Sequence, residues 1–158
     1  MRKENFSEED RKKKALKTSI SEGSASAFSS SIGETYITPF VVALKETVKE
    51  KAAFHVGLLS AISGLIAPLT QLFGDKLMEN YSRKKIVRTF VLLQALIWIL
   101  IASLGYFLWT GISVNVLIFY LIIFYSLFAA CGGVIYPAWF SWMGDIVPDE
   151  KRGHYFSK

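Results

Sequence analysis

Residues 89–144, TFVLLQALIWILIASLGYFLWTGISVNVLIFYLIIFYSLFAACGGVIYPAWFSWMG, contain no Asp, Glu, Lys or Arg, whereas both flanks are dense in charge. A helix rises about 1.5 Å per residue, so roughly 20 apolar residues cross the hydrocarbon core of a bilayer. The stretch is therefore long enough for two spans. Gly111, Ser113 and Asn115 favour a tight turn between them. The sequence thus predicts an integral membrane protein.

Two further apolar stretches precede this one. The chain is 52% hydrophobic and 15% aromatic, which is more than a soluble domain of 158 residues needs for its core. We predict an all-α membrane protein with four transmembrane helices, the first of which is unusually polar and contains Glu34. The predicted spans cover residues 24–44, 52–73, 86–109 and 115–143.

The distribution of Lys and Arg predicts the orientation. With four spans, fifteen of the 18 basic residues fall on one side of the membrane, and only Lys45, Lys49 and Lys51 fall on the other. Positive residues favour the cytoplasmic side, so both termini of this multi-pass protein are expected there, in the cell membrane. Residues 1–21 then form a basic cytoplasmic tail and residues 22–158 the membrane part.

The net charge of +5 is interpreted as this topology signal and as attraction to the lipid bilayer, rather than as nucleic-acid binding. The single cysteine, Cys131, excludes an internal disulfide and is expected to fill a small niche within a span. We expect no cofactor and no metal. An enzyme is disfavoured, because the chain has no His-x-x-x-His pair and no nucleophile with a base in reach.

A polar stripe marks the first span. Ser24, Ser31, Glu34 and Thr38 follow helical spacing along one face, which should face protein or a water-filled cavity. For the serines, close helix packing is the simpler interpretation. An intramembrane acid such as Glu34 more often belongs to a substrate or proton path.

We place Glu34, Ser31 and Thr38 on that path, with Tyr136 and Trp139 of the fourth span as a cavity floor. Trp139 could instead anchor at the interface. No visible span offers an interior Lys or Arg, so desolvation should favour protonated Glu34. The alternative is a permanently protonated Glu34 that donates a hydrogen bond to a backbone carbonyl or to Gln94.

Other residues are predicted to serve helix packing. The pairs Gly57 with Ala61 and Ser60 with Gly64 have the spacing that permits close backbone contact with another helix. Gln94, the polar interior residue of the third span, is expected to form an interhelical hydrogen bond. Pro39 and Pro137 should bend their helices, because each frees a carbonyl one turn back.

Two charged segments carry a resemblance to a known family. Gly74-Asp75-Lys76 followed by Arg83-Lys84-Lys85 resembles the signature loop of the major facilitator superfamily, with Gln71 in place of its first glycine and about one extra helical turn. The segment from Asp145 through Pro148 to Arg152-Gly153 is similar to the sequence that follows the family's fourth helix.

The resemblance implies the amino-terminal part of a bundle of twelve or more helices, built from inverted three-helix repeats. It implies that helices one and four line a central cavity and that the signature loop closes the cytoplasmic side. Transport of a small solute is then the expected function, with a proton as a candidate coupling ion. The implied gate residues are Gly74, Asp75, Lys76, Arg83, Lys84, Lys85, Asp145, Arg152 and Gly153.

The chain resembles only the first four helices, so we expect a fragment that is inactive alone and whose partners are the missing carboxyl-terminal helices of the same protein. The alternative is an autonomous four-helix membrane protein that acts by assembly or by binding a partner. A membrane enzyme is the third and weakest interpretation.

Overall fold

The computed structural model describes residues 31, 35–49 and 51–146, and nearly all of these residues are helical. The described residues contain no strand, so the prediction of an all-α protein is confirmed. We number the helices in chain order. They are α1 (described over 35–47), α2 (Ala53–Asn80), α3 (Arg83–Trp109) and α4 (Val114–Ile146).

Three of the helices are long and apolar enough to cross a membrane, over Ala53–Asn80, Arg83–Trp109 and Val114–Asp145. They correspond to the second, third and fourth predicted spans. The predicted first span lies largely outside the described residues. Its described part is helical and continues through Pro39 to residue 47, beyond the predicted end at 44.

The connection between α2 and α3 is shorter than predicted. Helix α2 continues seven residues past the predicted end at 73, because the residues after Gly74 are mostly good helix formers such as Lys, Leu, Met and Glu. Only Tyr81 and Ser82 then separate α2 from α3. Most of the signature loop of the sequence therefore lies inside two helices.

The turn between α3 and α4 occurs where the sequence predicts it. Gly111 has a φ of +85°, a left-handed conformation that glycine adopts without the steric cost a Cβ would bring. Helix α4 begins three residues later, at Val114. The chain thus reverses direction within four residues and returns through the membrane.

Helix α4 is the centre of the bundle. It packs extensively against both α2 and α3, which barely touch each other. The amino-terminal part of α4 also packs against α1, where Leu44 shares a buried cluster with Val114 and Ile118. The larger core cluster combines Ile37, Val41, Leu59, Ile97, Ile101, Leu104, Leu117, Leu121, Phe128 and Cys131. The predicted burial of Cys131 is confirmed.

Helices α2 and α4 cross at glycines of α4 rather than at the predicted small residues of α2. A Cβ built on Gly133 would overlap the Thr70 hydroxyl and the Ala67 carbonyl, so a larger residue does not fit there. Nearer the helix end, a Cβ on Gly74 would lie 3.0 Å from Pro137 Cγ. In contrast, Gly57 and Gly64 have no described atom within 4 Å of such a Cβ. Among the described residues these two glycines therefore contact no other helix, and their packing role stays a prediction.

Candidate functional site

An ion pair joins α3 to α4 at the end of the bundle where the signature residues lie. Nη1 of Arg83, the first residue of α3, donates to Oδ2 of Asp145, near the end of α4. The two side chains are 39% and 62% exposed, so water screens much of their attraction. The pair fixes geometry at this end more than it adds stability.

Other charges of the signature segments surround this pair. Lys85 places its Nζ 5.2 Å from the centre of the Tyr81 ring, a cation–π contact, and Lys84 is exposed. Three of the predicted gate residues lie on α2. Gly74 is buried against α4, whereas Asp75 and Lys76 are exposed.

The predicted gate residues are described only in part. Asp75 does not sit at a helix end, because α2 continues five residues beyond it to Asn80. Arg83 forms its described ion pair with Asp145 of α4. Arg152 and Gly153 lie outside the described residues, so their predicted part in the gate stays a prediction.

The residues of the predicted transport path are only partly described. Glu34 lies outside the described residues. Ser31 and Thr38 are helical and exposed, so neither faces the described core. Tyr136 is 62% exposed and its ring lies 5.3 Å from that of Phe140. Trp139 is half-buried and makes an edge-to-face contact with the same Phe140.

The described path residues belong to different helices, since Thr38 lies on α1 and Tyr136 and Trp139 lie on α4. The Leu44 end of α1 packs near Ile118 in the first turns of α4, whereas Tyr136 lies about 27 Å further along α4, at a rise of 1.5 Å per residue. Tyr136 is therefore nearer the end that carries the Arg83–Asp145 pair.

Lys45 is a buried polar residue that was not among the predicted site residues. Its side chain is only 1% exposed, and its Nζ donates a 2.8 Å hydrogen bond to Oδ1 of Asn115 at the start of α4. The predicted spans contain no interior Lys or Arg, but Lys45 lies one residue beyond the predicted end of the first span and is buried there. A signal was available, since Lys45 follows Ser24, Ser31 and Thr38 at intervals of seven residues and thus extends the polar stripe of α1.

Gln94 makes the predicted interhelical hydrogen bond. Its Nε2 donates to the Phe128 carbonyl of α4 over 3.2 Å. A Cβ on Gly132 would lie 3.3 Å from the same Nε2, so the glycine gives the amide room to approach the α4 backbone. Gly132 and Gly133 thus bring two different helices close to α4.

Among residues 31, 35–49 and 51–146, no group of three or more His, Cys, Asp or Glu side chains is placed to bind a metal ion. The described polar contacts that join two helices lie instead at the two ends and in the middle of α4.

Long apolar helices, polar contacts between them and charged ends define a multi-pass helical membrane protein. The chain belongs to the Major Facilitator Superfamily, whose family model matches residues 23–158. A comparison with curated proteins found no match, and neither did a comparison with solved structures.

Proposed function

We propose that this chain supplies the first four helices of a secondary transporter that moves a small solute across the cell membrane. Membership of the family carries the proposal. The Arg83–Asp145 pair supports it, because the pair joins two helices at the end where the signature charges cluster. A gate needs such a contact, which can break and re-form between two states.

The solute cavity requires more helices than this chain contributes. Helix α2 exposes Gly57, Gly64 and a row of large apolar residues, and α4 exposes Tyr136. Polar and small residues of membrane helices usually face protein or water rather than lipid. Further helices of the same protein would cover these surfaces, so the chain alone should not transport.

Both termini face the cytoplasm in this proposal. The Arg83–Asp145 end of the bundle is then cytoplasmic, and the Lys45–Asn115 end is external. Fifteen of 18 basic residues lie on the cytoplasmic side in this arrangement, as positive residues prefer.

Cysteine labelling tests the orientation. In a Cys131→Ala background, a cysteine at Lys49 should react with an impermeant thiol reagent in intact cells. Cysteines at Lys13 and Glu150 should react only after the membrane is permeabilised. Labelling at Lys13 with protection at Lys49 would reverse the topology.

The transport path in this proposal includes Glu34, Ser31 and Thr38 on the first helix, with Tyr136 and Trp139 on α4. Glu34 carries a proton that couples solute movement to a proton gradient. This role for Glu34 is supported by the free-energy cost of placing an acid within a membrane span. Such acids are rare in spans and usually have a function.

Reconstitution tests the transport proposal. The chain extended by its continuing reading frame should catalyse saturable solute uptake into liposomes, whereas liposomes that contain residues 1–158 alone should not. Saturable uptake by residues 1–158 alone would show that the additional helices are unnecessary.

A further inference from the structure

A cleft of about 390 Å³ opens between the ends of α2, α3 and α4 that carry the signature residues. It is a shallow depression, widely open to its surroundings, rather than an enclosed cavity. The cleft lies where α2 ends, α3 begins and α4 ends, beside the ends of the apolar stretches, where lipid headgroups are expected.

The lining of the cleft combines cations with groups typical of a membrane interface. Arg83 and Lys84 supply positive charge, Tyr81 and Ser82 supply hydroxyl groups, and Trp142 supplies an amphipathic ring. The Ser82 hydroxyl makes no capping bond to α3 and is exposed, so it can donate to a ligand.

Asp145 also lines the cleft and holds Arg83 through Nη1. A guanidinium carries five N–H donors in a planar fork. The contact of Nη1 with one carboxylate therefore leaves other N–H groups of Arg83 able to donate hydrogen bonds. The exposed ammonium of Lys84 lies next to it in sequence. The two cations of the lining outnumber its one carboxylate.

We propose that this cleft binds a phosphate group, supplied either by the headgroup of an anionic phospholipid or by free phosphate. Basic pockets between membrane helices are suited to such headgroups. Arg83 and Lys84 would pair with the phosphate oxygens, Ser82 and Tyr81 would donate hydrogen bonds, and Trp142 would lie beside the glycerol region. This inference is independent of the proposed transport activity.

Native mass spectrometry of the 158-residue chain tests the site. The chain is mixed with equal amounts of phosphatidylglycerol and phosphatidylcholine that have the same acyl chains. The wild-type chain should retain phosphatidylglycerol preferentially. Lys84→Gln should lower that preference about fivefold, the effect expected for one cation near a membrane surface.

Lys76→Gln is the matched control, because it removes the same charge from an exposed lysine of α2 that does not line the cleft. It should change the preference less than about twofold, since diffuse surface attraction is weak and screened. Circular dichroism verifies that both variants keep their helices.

Competition with inorganic phosphate tests whether the bound phosphate group belongs to a lipid headgroup or to free phosphate. If millimolar inorganic phosphate displaces phosphatidylglycerol from the wild-type chain, the cleft recognises the phosphate group itself. If the lipid stays bound and Lys84→Gln alone weakens it, the headgroup of an anchored lipid is the ligand. Equal losses in Lys84→Gln and Lys76→Gln, or no preference over phosphatidylcholine, would overturn the proposal.

Discussion

Gly133 of α4 lies directly against the backbone of Ala67 in α2, with no room for a side chain between the two helices. Pro137 lies one turn further along α4 and has no N–H, so the Gly133 carbonyl lacks its usual intrahelical partner. The closest crossing of the bundle therefore coincides with a weakened point of its central helix.

Gly133→Ala should destabilise the bundle by about 1 to 3 kcal/mol, because the new methyl group would overlap Ala67 and Thr70. Thermal unfolding of the purified protein in detergent measures the effect. Gly57→Ala is the control, since no described atom lies within 4 Å of the added methyl and alanine favours the helix. Equal stability of the two variants would contradict the crossing.

Asn115→Leu should destabilise the protein by about 1.5 to 3 kcal/mol, because it removes an acceptor from the buried Lys45 ammonium. Lys45→Met in the same chain should recover part of that loss, since no buried charge would remain. A double-mutant cycle of unfolding measurements isolates the coupling between the two residues. Additive effects would mean that the hydrogen bond contributes nothing.

Gln94→Leu should cost only about 0.6 kcal/mol, the average for a hydrogen bond between membrane helices. Leucine keeps much of the volume but cannot donate to the Phe128 carbonyl. Urea or detergent titration followed by tryptophan fluorescence is sensitive here, because the Trp98 ring packs 5.2 Å from Phe128. A loss larger than that of Asn115→Leu would show that Gln94 has a further role.

Asp145→Asn should leave stability nearly unchanged, because the Arg83–Asp145 pair is largely exposed and such pairs contribute less than about 1 kcal/mol. In the complete transporter, however, the same change should alter the transport rate if the pair holds a gate. The exchange Arg83→Asp with Asp145→Arg should restore the rate. Failure of the exchange, with normal expression, would reduce the pair to a surface contact.

Glu34→Gln should abolish proton-driven accumulation of solute in the complete transporter, while downhill exchange survives. Glutamine keeps the size and hydrogen bonding of the side chain but cannot release a proton. Uptake into proteoliposomes with and without a pH gradient separates the two activities. Accumulation that persists in the variant would give Glu34 a structural or substrate-contact role.

The helices α2, α3 and α4 were predictable because apolar length alone determines a membrane span. How these helices pack against one another was not predictable from the sequence. Sequence spacing shows that Gly57, Gly64 and Gly133 can each admit a close neighbour, but which of them does so depends on how the helices are rotated against each other.

The burial of Lys45 was hidden for a similar reason. The positive-inside rule counts a lysine near a helix end without distinguishing an exposed ammonium from a buried one. The end of α2 was misplaced because residues after Phe73 are too polar for a lipid core yet remain good helix formers. Hydropathy detects where lipid ends, and helices can continue into water.

Two polar ties hold α4, one at each end. Asn115 bonds to α1 and Asp145 bonds to α3, and the thirty residues between them rise about 45 Å, close to the full thickness of a bilayer with its headgroups. Sliding α4 along its own axis would break both ties together. These two contacts therefore oppose axial sliding of α4, whereas a tilt that opens the Arg83–Asp145 end would leave the Lys45–Asn115 hydrogen bond in place.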